Sequence, residues 1–139
     1  MPARRCTAPL LLCAALAALA AGCGAGSAPA YTAKGTIKCL GHKGFTNITT
    51  DPLKLGLIAG TAEHGGIQAK APNGNVVTIA FAKDATGAKS TEDAFRTHAS
   101  AFYAHRMADI MESQRNAVLV WTTSPTQLQL SNALGCLAP

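Results

Sequence analysis

The chain has 139 residues and a formal net charge of +5 at neutral pH, from 12 Lys and Arg against 7 Asp and Glu. The basic residues are scattered and aromatic residues make up only 5%, so the clustered cations and interleaved rings of a nucleic-acid interface are missing. Such a length allows one domain around one core, and the core has to come mostly from Ala, Val, Ile and Leu.

The N-terminus has the three parts of a secretory signal: charged Arg4-Arg5, an uncharged stretch from Cys6 to Gly22, and small residues before Cys23. The run Leu19-Ala20-Ala21-Gly22-Cys23 resembles the lipobox of bacterial lipoprotein precursors, with Ala20 standing where Leu is the commoner residue. That resemblance implies that residues 1–22 are a signal peptide and that Cys23 becomes the first mature residue and carries lipid. It also implies a place on the extracytoplasmic face of the cell membrane. Two other readings of the same residues stay open. One is an ordinary secretory signal cut near Ala28 or Ala30. The other is an uncleaved anchor, for which Ala8 to Ala21 is short and alanine-rich, since a span needs roughly 20 strongly apolar residues. Without residues 1–22 the chain keeps 10 of its 12 basic residues against all 7 acidic ones, a mild +3.

Cys6 and Cys13 fall in the signal and Cys23 in the lipobox, which leaves Cys39 and Cys136 in a compartment that permits disulfides. They are expected to pair. In the chain-entropy model a bond closing a loop of about 100 residues is worth about 4.7 kcal/mol. Free thiols or a metal pair are the alternatives, but neither Cys has a His or a second Cys at ligand spacing, so zinc is a poor fit.

Residues 23–30 read as the lipidated Cys and a flexible tether, because Gly24 to Ala30 has no side chain large enough to pack. Ala33, Ile37 and Leu40 then have helical spacing, and Gly41 or Gly44 can end the helix. Phe45 to Thr49 alternates as a short strand. Asp51 to Gly66 is broken by four glycines and reads as a loop with a helical turn. Gly66 to Ala71 and Val76 to Ala82 are two strands joined at Pro72-Asn73-Gly74-Asn75, where Asn-Gly supplies the positive φ values a tight hairpin needs.

Asp84 to Lys89 is expected to turn, with Ser90 capping a helix that runs to about Arg106 on a stripe of Phe95, Ala99, Phe102 and Arg106. Ala108 to Ser113 and the continuous apolar run Ala117 to Trp121 are strands around a turn at Gln114-Arg115-Asn116. Ser124-Pro125 is expected to supply the cap and first residue of a last helix carrying Leu128, Leu130 and Leu134. The order predicts a single α+β domain over residues 31–139, a small antiparallel sheet with helices packed on one face.

Candidate chemistry is sparse. His98 and His105 lie seven apart on one predicted helix, a rise of about 10 Å, too far to hold one ion directly. Asp109 and Glu112, three apart, could act as an acid–base pair if helical, though a solvated helix end is the simpler explanation. No Gly-x-Ser-x-Gly, Gly-x-Gly-x-x-Gly or Gly-Lys-Ser/Thr occurs, so no cofactor is implied. Trp121 with Tyr103 could line a sugar or peptide groove, although a Trp ending a buried strand belongs more simply to the core.

Cys39-Leu40 near one end and Cys136-Leu137 near the other, with a Val-rich strand and Ser-Pro before the last helix, resemble a loose group of secreted actinobacterial proteins. That group implies fold and export and brings no activity. The expectation is a lipid-anchored, non-enzymatic binding or accessory protein of the bacterial envelope, touching the membrane through its anchor and an envelope protein or wall polymer through its domain. The alternative is a small metal- or acid/base-dependent enzyme acting on wall material through His98 or His105 with Asp109 or Glu112. It requires those side chains to converge in a concave site.

Overall fold

The structure, a computed structural model, describes residues 28–139. The predicted signal peptide, Cys23 and the tether as far as Ser27 lie outside the described residues. In chain order the elements are α1 (Ala33–His42), β1 (Thr46–Thr49), α2 (Pro52–Gly60), β2 (Gly66–Lys70), β3 (Val76–Phe81), α3 (Ala85–His98), α4 (Ala101–Ala104), α5 (Met107–Ile110), β4 (Met111–Gln114), β5 (Ala117–Trp121) and α6 (Gln127–Gly135). The strands form one antiparallel sheet in the order β1-β2-β3-β5-β4. The chain is therefore α+β, an antiparallel sheet with helices packed against it.

Strand parity explains how the helices pack. β3 pairs with β5 from Val77↔Trp121 to Phe81↔Ala117, and with β2 from Gly66↔Ala80 to Lys70↔Val76. Alternation puts Ile67, Val77, Ile79, Phe81, Leu119 and Trp121 on one face. All six are buried, in one cluster with Leu40 of α1 and with Ala133 of α6 and Cys136 just after it. Each large side chain buried this way contributes about 1.5–3 kcal/mol. The other face carries Gly66, Ala80, Val118 and Val120. Here Leu55 and Ala59 of α2 cluster with Ala80, and Phe95 of α3 packs against them. Gly66 is required by this approach, because a Cβ there would overlap the Ala59 carbonyl and lie 2.9 Å from Leu55 Cδ1. A second helical layer thus joins the one expected from sequence.

Several boundaries differ from expectation, each for a local reason. The segment expected as a loop with one helical turn contains α2. Asp51 caps it, its carboxylate accepting from the Leu53 amide at 3.1 Å, and Pro52 follows at a position that needs no N–H. Gly56, at φ 75° and ψ 169°, then breaks the helix. The two turns fold toward each other around it, so that a Cβ on Gly60 would lie 3.2 Å from Pro52 Cα.

Helix α3 starts earlier than Ser90, because Asp84 accepts from the Gly87 amide at 2.8 Å. It also stops earlier. Ala99 (ψ 135°) and Ser100 (ψ 158°) are extended, so the expected single helix becomes α3 and α4, while α5 takes up the start of the expected strand and β4 begins at Met111 in place of Ala108. The cap of α6 is Thr126 instead of Ser124, since Thr126 and Gln129 bond each other's backbone amides at 3.2 and 2.8 Å in a capping box. In the β2–β3 hairpin only Gly74 has positive φ (93°), with the Gly74 amide donating to the Ala71 carbonyl at 2.9 Å.

The domain's two ends meet. The Thr32 amide donates to the Ala138 carbonyl at 2.8 Å, and the Ala138 amide donates to Thr36 Oγ1 at 3.3 Å. Cys39 and Cys136 are bonded, with an S–S length of 2.03 Å and Cα atoms 5.3 Å apart. Asn116 fastens the entering chain to the sheet. Its Oδ1 accepts from the Tyr31 amide at 2.8 Å, and its Nδ2 donates to the Tyr31 carbonyl at 2.9 Å and the Ala82 carbonyl at 2.8 Å. Beside it, Arg115 stacks on the Tyr31 ring at 4.2 Å and donates to the Pro29 carbonyl.

Candidate functional site

The break at Ala99-Ser100 borders an apolar cleft. Where α3 ends, the chain swings out and returns through α4 and α5, leaving space over the second face of the sheet. The cleft has a volume of about 400 Å³. Sites for small molecules span roughly 300–1,000 Å³ and are mostly apolar with a few polar groups.

Thr78 and Val120 of the sheet form part of its lining. Phe95 and His98 come from α3, Tyr103 from α4, Met107 and Ile110 from α5, and Ile58 from α2. Met107 and Ile110 are buried, and Phe95 and Tyr103 half-buried. Two further depressions, of about 540 and 310 Å³, adjoin it, sharing Ile58 and His98, and carry the surface along α2 past Leu57.

Among the described residues no Asp, Glu, Lys or Arg lines the cleft. Its polar groups are the hydroxyls of Thr78, Ser100, Tyr103 and Thr122 and the His98 imidazole. Thr122 is already engaged, donating from Oγ1 to Asn75 Oδ1 at 2.8 Å. Apolar walls with a few hydroxyls and no fixed charge suit an uncharged, mainly apolar body carrying one or two hydrogen-bonding groups. Next in the chain to the lining residues Tyr103 and Ile58 stand two exposed apolar side chains, Phe102 at 69% and Leu57 at 82% exposure. Phe102 and Tyr103 meet edge to face, centroids 5.1 Å apart, with the Arg106 guanidinium 6.0 Å from the Phe102 ring.

Comparison with protein families, with curated proteins and with solved structures finds no match to this chain.

The four titratable residues singled out from sequence separate. His98 lines the cleft, whereas His105 ends α4, Asp109 lies in α5 and Glu112 in β4, all exposed and none lining it. His98 and His105 are on different helices, which removes the shared face that a seven-residue spacing implied. Among the described residues no group of three or more His, Cys, Asp or Glu is placed to hold a metal ion. Trp121 and Tyr103 both reach the cleft wall. Trp121 is also core, 1% exposed and 6.4 Å from Phe45 between centroids, its indole N–H buried without a partner among the described residues.

Sequence reading missed Ile58 and Thr78. Ile58 lies in a segment read as loop. Thr78 is the polar member of an apolar strand, a pattern that gives no hint of which face will stay open.

Proposed function

We propose that this is a lipid-anchored extracytoplasmic protein of the bacterial envelope whose domain binds an uncharged, largely apolar ligand in the cleft beside α3. The cleft carries the proposal: an apolar cavity lined, among the described residues, by no fixed charge, with exposed Leu57 and Phe102 next in the chain to its lining residues Ile58 and Tyr103. Exposed apolar surface of this kind marks interaction sites. The anchoring part is supported by the lipobox resemblance at Cys23. A domain closed by a disulfide fits an exported setting. Binding, with no chemistry on the ligand, is the role that suits a cleft lined, among the described residues, by one exposed imidazole and no carboxylate.

The test uses N-phenyl-1-naphthylamine, a neutral apolar probe that brightens on leaving water. Saturable binding is expected, weakened at least tenfold by Ala99→Phe, which fills the cleft from its wall. Equal binding by wild type and variant, or none by wild type, overturns the reading of the cleft. The intact mass of protein recovered from membranes tests the anchor separately, since lipid at Cys23 adds acyl chains to a chain that begins there.

A further inference from the structure

The bend in α2 makes a tip. Gly56 sits at its apex with open space where its Cβ would be, while Leu55 turns inward and is buried. Leu53 and Leu57 flank the apex and are 94% and 82% exposed. Burying a Leu is worth about 1.5–3 kcal/mol, so two leucines left almost wholly in water are a large unused driving force. Lys54 stands exposed between them, and the nearby Asp51 carboxylate is occupied in capping the Leu53 amide. Apolar side chains beside an exposed cation suit the interface of an anionic bilayer, where leucines enter the acyl boundary and the ammonium stays among headgroups.

The chain outside the described residues says which surface is within reach. Residues 28–30 lie against the first turn of α3, sharing a depression with Ala85 and Thr86. The second turn of α2 lies along the same helix, Leu57 and Ile58 sharing a depression with Ala94 and His98. From Ala85 to His98 a helix rises about 20 Å. Five residue steps separate Ala28 from Cys23, a reach of at most about 18 Å. A lipid at Cys23 therefore holds the tip close enough to meet the same bilayer with the domain lying on its α2–α3 side.

We infer that the α2 tip docks on the membrane that holds the anchor, inserting Leu53 and Leu57 and turning the cleft mouth toward the lipid. This rests on lipidation of Cys23. The ligand class it favours is an apolar molecule drawn from the bilayer.

The test takes the full lipidated chain in phosphatidylglycerol vesicles containing a phosphatidylcholine brominated in its acyl chains, which quenches tryptophan on contact. Leu57→Trp and, as a second tip variant, Leu53→Trp are compared with Leu128→Trp. Leu128 is 69% exposed on α6, over the opposite face of the sheet, and buried Trp121 in the unsubstituted chain gives the baseline. Docking predicts at least twofold more quenching for both tip variants than for Leu128→Trp. Equal quenching at all three positions, with the protein floating with the vesicles, overturns docking and leaves the anchor standing. A mass without acyl chains and failure to float removes the anchor, and the docking proposal with it.

Discussion

Replacing Asn116 with Ala tests how the domain holds its own beginning. Asn116 is 2% exposed, and its side chain makes three hydrogen bonds, two to the Tyr31 backbone and one to the Ala82 carbonyl. A neutral hydrogen bond contributes about 1 kcal/mol net, and a buried group left without a partner costs about 1–3 kcal/mol. Water entering the gap recovers part of this, so the expected loss is about 3 kcal/mol. That is a large share of a domain's roughly 5–15 kcal/mol. The urea midpoint should fall by more than about 1 M, and Tm by roughly 10 °C.

Asn116→Asp sharpens the case. It keeps the acceptor for the Tyr31 amide but sets a buried carboxylate against two carbonyl oxygens. Those surroundings disfavour the charged form and raise the folded carboxyl above its unfolded value of about 3.9. The penalty is then present above that value and fades as pH falls toward it, because protonation restores a donor. Relative to Asn116→Ala, the aspartate variant should therefore improve between neutral pH and about pH 4, with both measured against wild type by urea unfolding at each pH. A loss below about 0.5 kcal/mol for Asn116→Ala, or no pH-dependent gap between the two variants, would refute the assignment.

Reducing the disulfide, or making Cys39→Ser with Cys136→Ser, should cost up to about 4.7 kcal/mol for a loop of this size; an unchanged urea midpoint would show that the bond does not constrain the unfolded chain. Gly66→Ala should destabilise by about 1–3 kcal/mol, because the new methyl meets the Ala59 carbonyl of α2. Gly135→Ala has nothing within 4 Å of its Cβ and should be neutral or gain up to about 1 kcal/mol. Thermal unfolding of the two glycine variants side by side separates a packing clash from a backbone-entropy effect.

What could be read in advance was whatever local chemistry alone decides. The Asn73-Gly74 turn, the apolar run of β5 and the helical spacing of α1 each concern a few adjacent residues with one dominant preference. Failures came where two local signals competed. Thr126-x-x-Gln129 displaced Ser124-Pro125 because a reciprocal pair of bonds satisfies two amides at once. At Gly87, a residue that reads as a turn is carried inside α3 by the Asp84 cap. The cleft was illegible for a different reason. Phe95, Ala99, Phe102 and Arg106 keep helical spacing straight through the break, so nothing in the stripe shows that the chain leaves the helix at Ala99. Asn116 reads as a turn residue, and its partners lie 85 and 34 positions away.

The meeting of Thr32 with Ala138 makes the covalent order of the domain separable from its architecture. A short linker could join these two ends, and the chain could be reopened at the exposed Asn73-Gly74 turn, without disturbing a strand pairing. In that rearranged chain the Cys39–Cys136 bond would span about 15 residues in place of its present separation of 97, and its entropic worth would fall to about 3 kcal/mol. The same two sulfur atoms, in the same place, would then restrain a different unfolded ensemble. Their contribution belongs to the path of the chain between them as much as to the contacts around them.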